Sequence, residues 1–486
     1  MRSIGSSVDD MSNADANAGL YQYINFKKKK QYIFTTKAVS DHPASIIIGT
    51  GIIGLTSAYY LAKSGHKVIC IEKREDVALE TSYKNGALIC PSLLTPWANS
   101  DVPKSYFQSL FSSSSKPTSI KVWPSTFFSV KFYRWIYEYL KNCTTKAQIK
   151  NATHLLTLST YSRQCLDNIL NENSISFSRY SKGSLQLAID PHIFEQLVEE
   201  SKHINNIQLL STADEVIKYE PILKSVKDRL YGGVFSSLDT NGNIYEFCCE
   251  LKKILIEKYN VQFLFNNEIK DFIVTTTIDS RTNQQQRHVT GLLTNDNKKI
   301  NNIDNIILTN GNYVMPLIEK LNVYIPVYPV KGYVVEIITP PNIPLPSMNL
   351  VDDVNKLYIS ALKPTATQGL VRVSGLAEFA GWKDIGILSE PDRAQYLYEQ
   401  TIHWLPHLGS YKKAFHSCSR PVSADDVPLI GRCDNFDNLF VNCGHGSKGW
   451  TLAFGSAALL ANVINQKEYV KESEDINPEP YSPNRF

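Results

Sequence analysis

The stretch Ile46-Ile47-Ile48-Gly49-Thr50-Gly51-Ile52-Ile53-Gly54 leaves few folds open to this chain, because three glycines at fixed spacing join an apolar strand to a helix. Ile46 to Ile48 reads as a buried parallel strand. Gly49 permits the tight turn after it. Gly51, lacking a Cβ, lets the backbone approach a pyrophosphate at the positive end of the next helix, and Gly54 lets that helix lie against the strand. The helix is predicted from Ile52 to about Ser64: Ile52, Leu55, Tyr59 and Ala62 fall at three- and four-residue spacing, and Gly65 stands where a left-handed cap ends a helix. A second strand, Lys67 to Ile71, then delivers Glu72 and Lys73. The Glu72 carboxylate suits the two hydroxyls of an adenosine ribose. These residues together predict a bound adenine dinucleotide held by Gly49, Thr50, Gly51, Ile52, Ile53, Gly54, Glu72 and Lys73. The motif by itself does not separate FAD from NAD.

At 486 residues the chain is too long for one ordinary core, so two intimately connected domains are expected. A formal net charge of +3 gives no field strong enough to argue for nucleic acid. The basic run Lys27 to Lys30 reads as a solvated tail. Nine scattered cysteines, with Cys248-Cys249 the one adjacent pair, match neither a zinc spacing nor a disulfide framework, so no metal is expected and the thiols are read as reduced. No apolar run is long enough to span a bilayer, which leaves peripheral membrane contact open. Residues 1–43 read as a disordered extension. Asp9, Asp10 and Asp15 beside only Arg2 speak against a mitochondrial transit peptide, so the protein reads as cytoplasmic, with mitochondrial targeting or peripheral membrane association as the alternatives.

The loop Glu80-Thr81-Ser82-Tyr83-Lys84-Asn85 is polar and small enough to offer Thr81, Ser82 and Asn85 to a cofactor, and residues 112–119 read as a surface loop. Helices are expected over 127–142 and 151–172, the latter with a packing stripe of Leu155, Leu158, Tyr161, Cys165 and Leu166, and over about 246–259. Short strands are expected at 184–188, 231–236 and 261–265, and 275–287 reads as a polar hairpin. Ile306 to Gly311 reads as a strand returning to a parallel sheet, with Gly311 at the cofactor, whereas 323–338 and 356–376 alternate as half-buried antiparallel strands do. Strands that rejoin the first sheet after long excursions imply an α/β fold. Its Rossmann-like cofactor domain is discontinuous, built from 44–100, 241–320 and 416–465. A second α+β substrate domain on an antiparallel sheet, with a helical insert, takes 101–240 and 321–415, and 466–486 forms a tail.

Cys443-Gly444-His445-Gly446-Ser447-Lys448-Gly449-Trp450 is a second strand-to-helix glycine turn. Gly444, Gly446 and Gly449 let backbone N–H groups face an anion at a helix N-terminus, with an ordinary helix cap as the bland alternative. Two such turns in one chain match the two ends of FAD. His445 reads equally as a flavin contact or a packed structural histidine.

Between these turns stand Thr95-Pro96-Trp97, Pro326-Val327-Tyr328-Pro329-Val330-Lys331-Gly332-Tyr333, and Arg420-Pro421 with Pro428-Leu429-Ile430-Gly431. With Glu80-Thr81-Ser82, Asn85 and both glycine turns, they resemble, in order from about residue 45 to 465, the FAD-dependent D-amino acid oxidase superfamily, and within it the D-amino acid dehydrogenase (small subunit) branch. The resemblance implies a two-domain fold, non-covalent FAD and an arginine, by position Arg420, that grips a substrate carboxylate. It implies oxidative deamination of a D-amino acid, with hydride leaving Cα for flavin N5 and electrons passing to a quinone-type acceptor. An oxygen-using oxidase of glycine, sarcosine or another amine is the nearest alternative, and an inactive flavin-binding scaffold subunit is the alternative of another class. Tyr328, Tyr333 and Trp97 are expected to line the pocket. The chain departs from the family pattern at Cys418-Ser419, where Gly-Leu is usual, at Asp426, where glycine is usual, and at Gly86-Ala87-Leu88.

Overall fold

The computed structural model describes residues 43–100, 120–202, 204, 206–278, 285–301, 303–382, 385, 388, 390–467 and 475–486. The expected disordered extension with its Lys27–Lys30 run, the 112–119 loop and the tip of the 275–287 hairpin lie outside them.

The apolar strand Ala44–Ile48 sits in the middle of a six-stranded sheet. On one side it pairs in parallel with Lys67–Ile71, which pairs with Gln262–Leu264. On the other it pairs in parallel with Asn305–Leu308, then Leu439–Cys443, and the antiparallel Leu429–Arg432 closes that edge. The chain therefore leaves this sheet three times after Lys67–Ile71, returning first to one edge at Gln262–Leu264, then to the centre at Asn305–Leu308 and last to the other edge at Leu429–Arg432. Ligands in open parallel sheets bind at the carboxyl ends of strands where the order reverses, and Ala44–Ile48 and Asn305–Leu308 are the two strands that end there.

Helix Ile52–Lys63 packs Leu55, Ala58 and Tyr59 against helix Gly449–Ile464, and the long helix Thr145–Glu172 covers both with its expected stripe of Leu155, Leu158, Cys165 and Leu166. Thr145–Glu172 starts earlier than its apolar pattern suggests because the Thr144 side chain accepts the Ala147 N–H as a cap. Gly65, at φ +94°, ends the first helix as expected.

The second sheet has nine strands. Lys412–Ser423 pairs antiparallel with Val327–Thr339 along nearly all its length, followed by Gly369–Phe379, Leu357–Leu362, Asn349–Asp352, Ser184–Ala188, Gly232–Ser236 and Ile207–Leu210, with Ile120–Val122 beside Gly369–Phe379. Arg420 thus projects from the second sheet. The expectation that 323–338 is half-buried fails: nearly every residue of Val327–Thr339 is buried. Helix Pro391–Trp404 covers Tyr333, Val335 and Ile337, while helix Val130–Asn142 covers Tyr328 and Val330. A strand capped from both faces loses the alternation that a one-sided sheet shows. No described helix is long and apolar enough to cross a membrane.

Candidate active site

A cavity of ≈ 1230 Å³ runs from the carboxyl ends of the first sheet to the wall of the second. Its first end is the Gly49–Gly54 turn. Gly49 has φ +96°, and a Cβ on Gly54 would lie 1.9 Å from the Gly49 carbonyl oxygen, so the turn and the helix start are in backbone contact. Gly51 differs: a Cβ there would meet only Ser82 Oγ, at 3.3 Å, and it borders the cavity. The Thr50 N–H and hydroxyl both donate to Glu72 Oε2 at 2.8 Å, and the Arg74 N–H donates to Oε1 at 3.0 Å. Glu72 therefore locks two strand ends together. Oε2 has both lone pairs taken, while Oε1, accepting one bond, keeps a lone pair for a ligand hydroxyl. Lys73 is committed to Glu80 at 2.9 Å and to the face of Tyr313, whose ring centroid is 3.3 Å away.

The middle wall comes from the polar loop. Ser82 Oγ accepts the Ile52 N–H at 3.2 Å, Thr81 donates to the Ser419 carbonyl at 2.9 Å, and Asn85 Oδ1 accepts the Ala87 N–H at 2.8 Å. Gly311 lies at φ +57° with no atom within 4 Å of a would-be Cβ, so it faces open space. Ile53 borders the cavity at the helix start.

Gly446, at φ +56°, and Gly449 form the other end; Gly444, at φ +79°, does not border the cavity and faces Ser423, Val327 and Leu429 instead, so it shapes the turn from behind. The helix they introduce, Gly449–Ile464, has no capping side chain. His445 borders the cavity and is buried with Nε2 3.1 Å from Ser456 Oγ. Burial pushes its pKa down to about 3, so the ring is neutral at physiological pH.

Arg420 enters from the second sheet. Its guanidinium donates to the Leu376 carbonyl at 2.7 Å and the Gly375 carbonyl at 3.3 Å, 5.6 Å from the Trp97 ring centroid. A Cβ on Gly332, in the strand alongside, would lie 2.3 Å from Arg420 Nη2, so that glycine opens the slot for the arginine. Trp97 borders the cavity, as expected.

Tyr328 and Tyr333 correct the sequence reading, because neither borders the cavity. Tyr328 is packed among Phe132, Trp135, Phe379 and Trp382, and the Tyr333 hydroxyl donates to Glu378 behind the sheet. The tyrosines that do border the cavity are Tyr139, Tyr313 and Tyr358; the Tyr358 hydroxyl donates to Asp353 Oδ1 at 3.1 Å and burial pushes its pKa well up, so it stays protonated. Leu357-Tyr358-Ile359 places one aromatic with a polar tip between two core residues, and that alternation is its only sequence signal.

Asp426 also escaped the sequence reading as a functional position. It occupies φ +67°, a backbone conformation that favours glycine, and its Oδ2 accepts the Trp97 N–H at 2.6 Å and pairs with Lys448 Nζ at 2.8 Å. Both charges are buried. The substitution thus ties the Trp97 loop to the second glycine turn.

These surroundings fit FAD. The Gly51 wall is open, the helix at Gly449 is uncapped, and two buried amide oxygens bordering the cavity, Asn310 Oδ1 and Asn442 Oδ1, have no hydrogen-bond partner among the described residues. Helix termini and orphaned polar atoms of this kind are satisfied by a ligand.

Comparison with known proteins agrees. The chain is 30% identical over 432 residues to D-amino acid dehydrogenase of Vibrio vulnificus, covering 87% of this chain and 96% of that protein. Its fold is similar to that of glycine oxidase from Geobacillus kaustophilus, with a TM-score of 0.64 and 19% identity over 91% of this chain and 98% of that one. It is similar also to that of L-proline dehydrogenase from P. horikoshii, with a TM-score of 0.65 and 16% identity over 91% and 97%. The profile of the FAD dependent oxidoreductase family matches residues 45–463, and this chain belongs to that family.

Proposed function

We propose that the protein oxidises the Cα–N bond of a D-amino acid to an imino acid, which water converts to a 2-oxo acid and ammonia, and that the electrons pass to a quinone-class acceptor through peripheral membrane contact. The observation that carries the reading is Arg420: a buried guanidinium bordering the same cavity as the Gly444–Gly449 turn, with only two of its five N–H donors taken by carbonyls of described residues. Paired donors match a carboxylate, and fixing that end of a substrate aims its Cα. The Tyr358 hydroxyl, whose proton goes to Asp353, offers an acceptor lone pair at that wall, and Trp97 closes the side next to Arg420.

Gly49 to Gly54 and Glu72 would hold the adenosine diphosphate part of FAD. Thr81, Ser82, Asn85 and Gly311 would hold its middle, and the Gly444–Gly449 turn the isoalloxazine. When bound, FAD supplies the acceptor for a hydride. The protein's part is orientation by Arg420, a positive helix end at Gly449 where negative charge develops, and exclusion of water by the Trp97 loop. The sequence relative named a D-amino acid dehydrogenase supports the substrate class.

Anaerobic addition of a D-amino acid panel to the purified yellow protein tests this directly. Bleaching by small D-amino acids and not by their L-isomers is expected, followed by reoxidation much faster with a soluble quinone than with oxygen. Stoichiometric hydrogen peroxide would replace the dehydrogenase reading with an oxidase, and a flavin inert to every amine would favour the scaffold. Arg420→Ala should keep the flavin and lose roughly ten- to a hundredfold in kcat/KM, the loss of charge-assisted hydrogen bonds worth about 1.5–3 kcal/mol. Unchanged kinetics in that variant would remove Arg420 from the site.

A further inference from the structure

Helix Val130–Asn142 has two unlike faces. Phe132, Trp135 and Tyr139 are buried under the second sheet. Val130, Tyr133, Tyr137 and Leu140 recur three and four residues apart on another face and are exposed, Val130 at 73% and Tyr137 at 63%. The short helix before it, Pro124–Phe128, adds Phe128 at 90% exposure, and the Tyr133 hydroxyl donates to the Phe127 carbonyl at 2.9 Å, which joins the two pieces into one surface. A contiguous apolar patch of this kind on a water-facing helix marks an interaction surface.

The charge around the patch says what kind. Between residues 120 and 150 there are six lysines and arginines against one acid, Glu138; Lys121, Lys131 and Lys141 are ion-paired with Glu390, Glu319 and Glu138, which leaves Arg134, Lys146 and Lys150 as the cations without an acid partner among the described residues. Lys146 and Lys150 are exposed at the start of the next helix, flanking the exposed Ile149, with no ion-pair partner among the described residues. Two copies of the chain meeting through this face would bring like charges together. The aromatic rings, moreover, stand on the outer side of a helix, where a fluid apolar medium can receive them. Aromatic and aliphatic side chains framed by lysines are the pattern of helices that lie in the interface of an anionic bilayer. Ile136 and Leu140 of the same helix also border the cavity.

We propose that the surface bearing Phe128, Val130, Tyr133 and Tyr137, framed by Lys146 and Lys150, docks on an anionic lipid bilayer and brings a flank of the cavity to the membrane. Its purpose rests on the acceptor reading above, since a quinone-class oxidant resides in the bilayer; the docking itself does not.

Flotation of the FAD-loaded full chain with vesicles of phosphatidylcholine, alone or mixed equally with phosphatidylserine, tests it. The protein should float with the mixed vesicles and not with the neutral ones, and added salt should weaken the binding. Lys146→Glu/Lys150→Glu should bind roughly tenfold or more weakly, and Phe128→Ser/Tyr137→Ser should lose flotation. Both variants should retain the flavin spectrum and wild-type turnover with a water-soluble quinone. Failure of the wild type to float with mixed vesicles, or equal flotation of the variants, would overturn the docking face. So would loss of a solution dimer in Phe128→Ser/Tyr137→Ser with flotation unchanged. Flotation as expected, together with no turnover on soluble quinone, would retire the acceptor reading and leave the docking face standing.

Discussion

The Gly49–Gly54 turn draws most of its support from the span Ile46 to Ser82, with Thr309 its one distant hydrogen-bond partner, whereas the Gly444–Gly449 turn depends chiefly on side chains from distant stretches. In the first, strand, turn, helix and acid follow one another in the chain, and Glu72 and Ser82 supply most of its side-chain hydrogen bonds, joined by one distant prop, the Thr309 hydroxyl donating to the Gly49 carbonyl at 2.9 Å. In the second, Val422 bridges His445 from the neighbouring sheet, and Asp426 holds Lys448 while also holding Trp97. A self-contained turn can be read from its own letters. A turn propped by tertiary contacts has a glycine spacing that fits several structures until the props are placed.

The glycine pair in the first turn breaks or sharpens this contrast most strongly. Gly54→Ala places a methyl 1.9 Å from the Gly49 carbonyl oxygen, a backbone atom that cannot step aside, and should cost more than about 3 kcal/mol and leave little folded protein. Gly51→Val meets only Ser82 Oγ, in an extended conformation that valine accepts, so it should fold with near-normal thermal stability and yet be purified without FAD. Thermal unfolding together with flavin content separates them. FAD retained by Gly51→Val, or collapse of both variants alike, would show that the two glycines do one job.

The second turn answers to its props. Asp426→Gly restores the usual family residue and relieves a left-handed aspartate, but it strands the Lys448 ammonium and the Trp97 N–H in the interior. Removing one partner of a buried ion pair typically costs about 3–5 kcal/mol, while replacing both is often neutral. Denaturant unfolding should therefore find Asp426→Gly strongly destabilised and Asp426→Gly/Lys448→Met much less so, the remaining loss being that of the Trp97 N–H left without its acceptor. A single variant as stable as the parent would mean that the pair contributes nothing to the turn.

The same division explains how far the sequence could be read. Strand Lys67–Ile71, the helices at Ile52 and Gly449 and the returning strand at Ile306 follow from apolar periodicity and glycine placement, both local properties. Arg420 could be located only through its resemblance to a family motif, since its slot is made by Gly332 from the paired strand and by carbonyls of Gly375 and Leu376 from the next strand in the sheet. Tyr328 and Tyr333 were misplaced because a motif fixes the strand and not its neighbours. The register shift between Lys331 and Tyr333, with covering helices on both faces, decides where those rings go. Tyr358 and the Asp426–Lys448 pair stand on contacts between residues far apart in sequence, which no periodicity encodes.

The smallest expected effect at neutral pH, and the one that isolates the second turn, is that of His445. Its ring is buried and neutral, with a pKa held down to about 3 by desolvation against 6.5 for a free histidine. Above pH 6.5 neither the folded nor the unfolded chain protonates it, so His445→Gln, which can keep a hydrogen bond to Ser456, should change stability there by less than about 1 kcal/mol. Below that pH the unfolded chain takes up a proton that the folded chain refuses. Stability should then fall with pH, by up to about 1.4 kcal/mol per unit from this residue alone, until the pH nears the folded value of about 3. The difference in unfolding free energy between wild type and His445→Gln, followed from pH 7 downward in steps of roughly half a unit, removes the carboxylates common to both proteins. A gap that narrows and then reverses in favour of the variant as the solution is acidified is the expected outcome. Parallel curves would show that His445 is not buried neutral, and the second turn would then carry a charge of its own at the flavin end of the cavity.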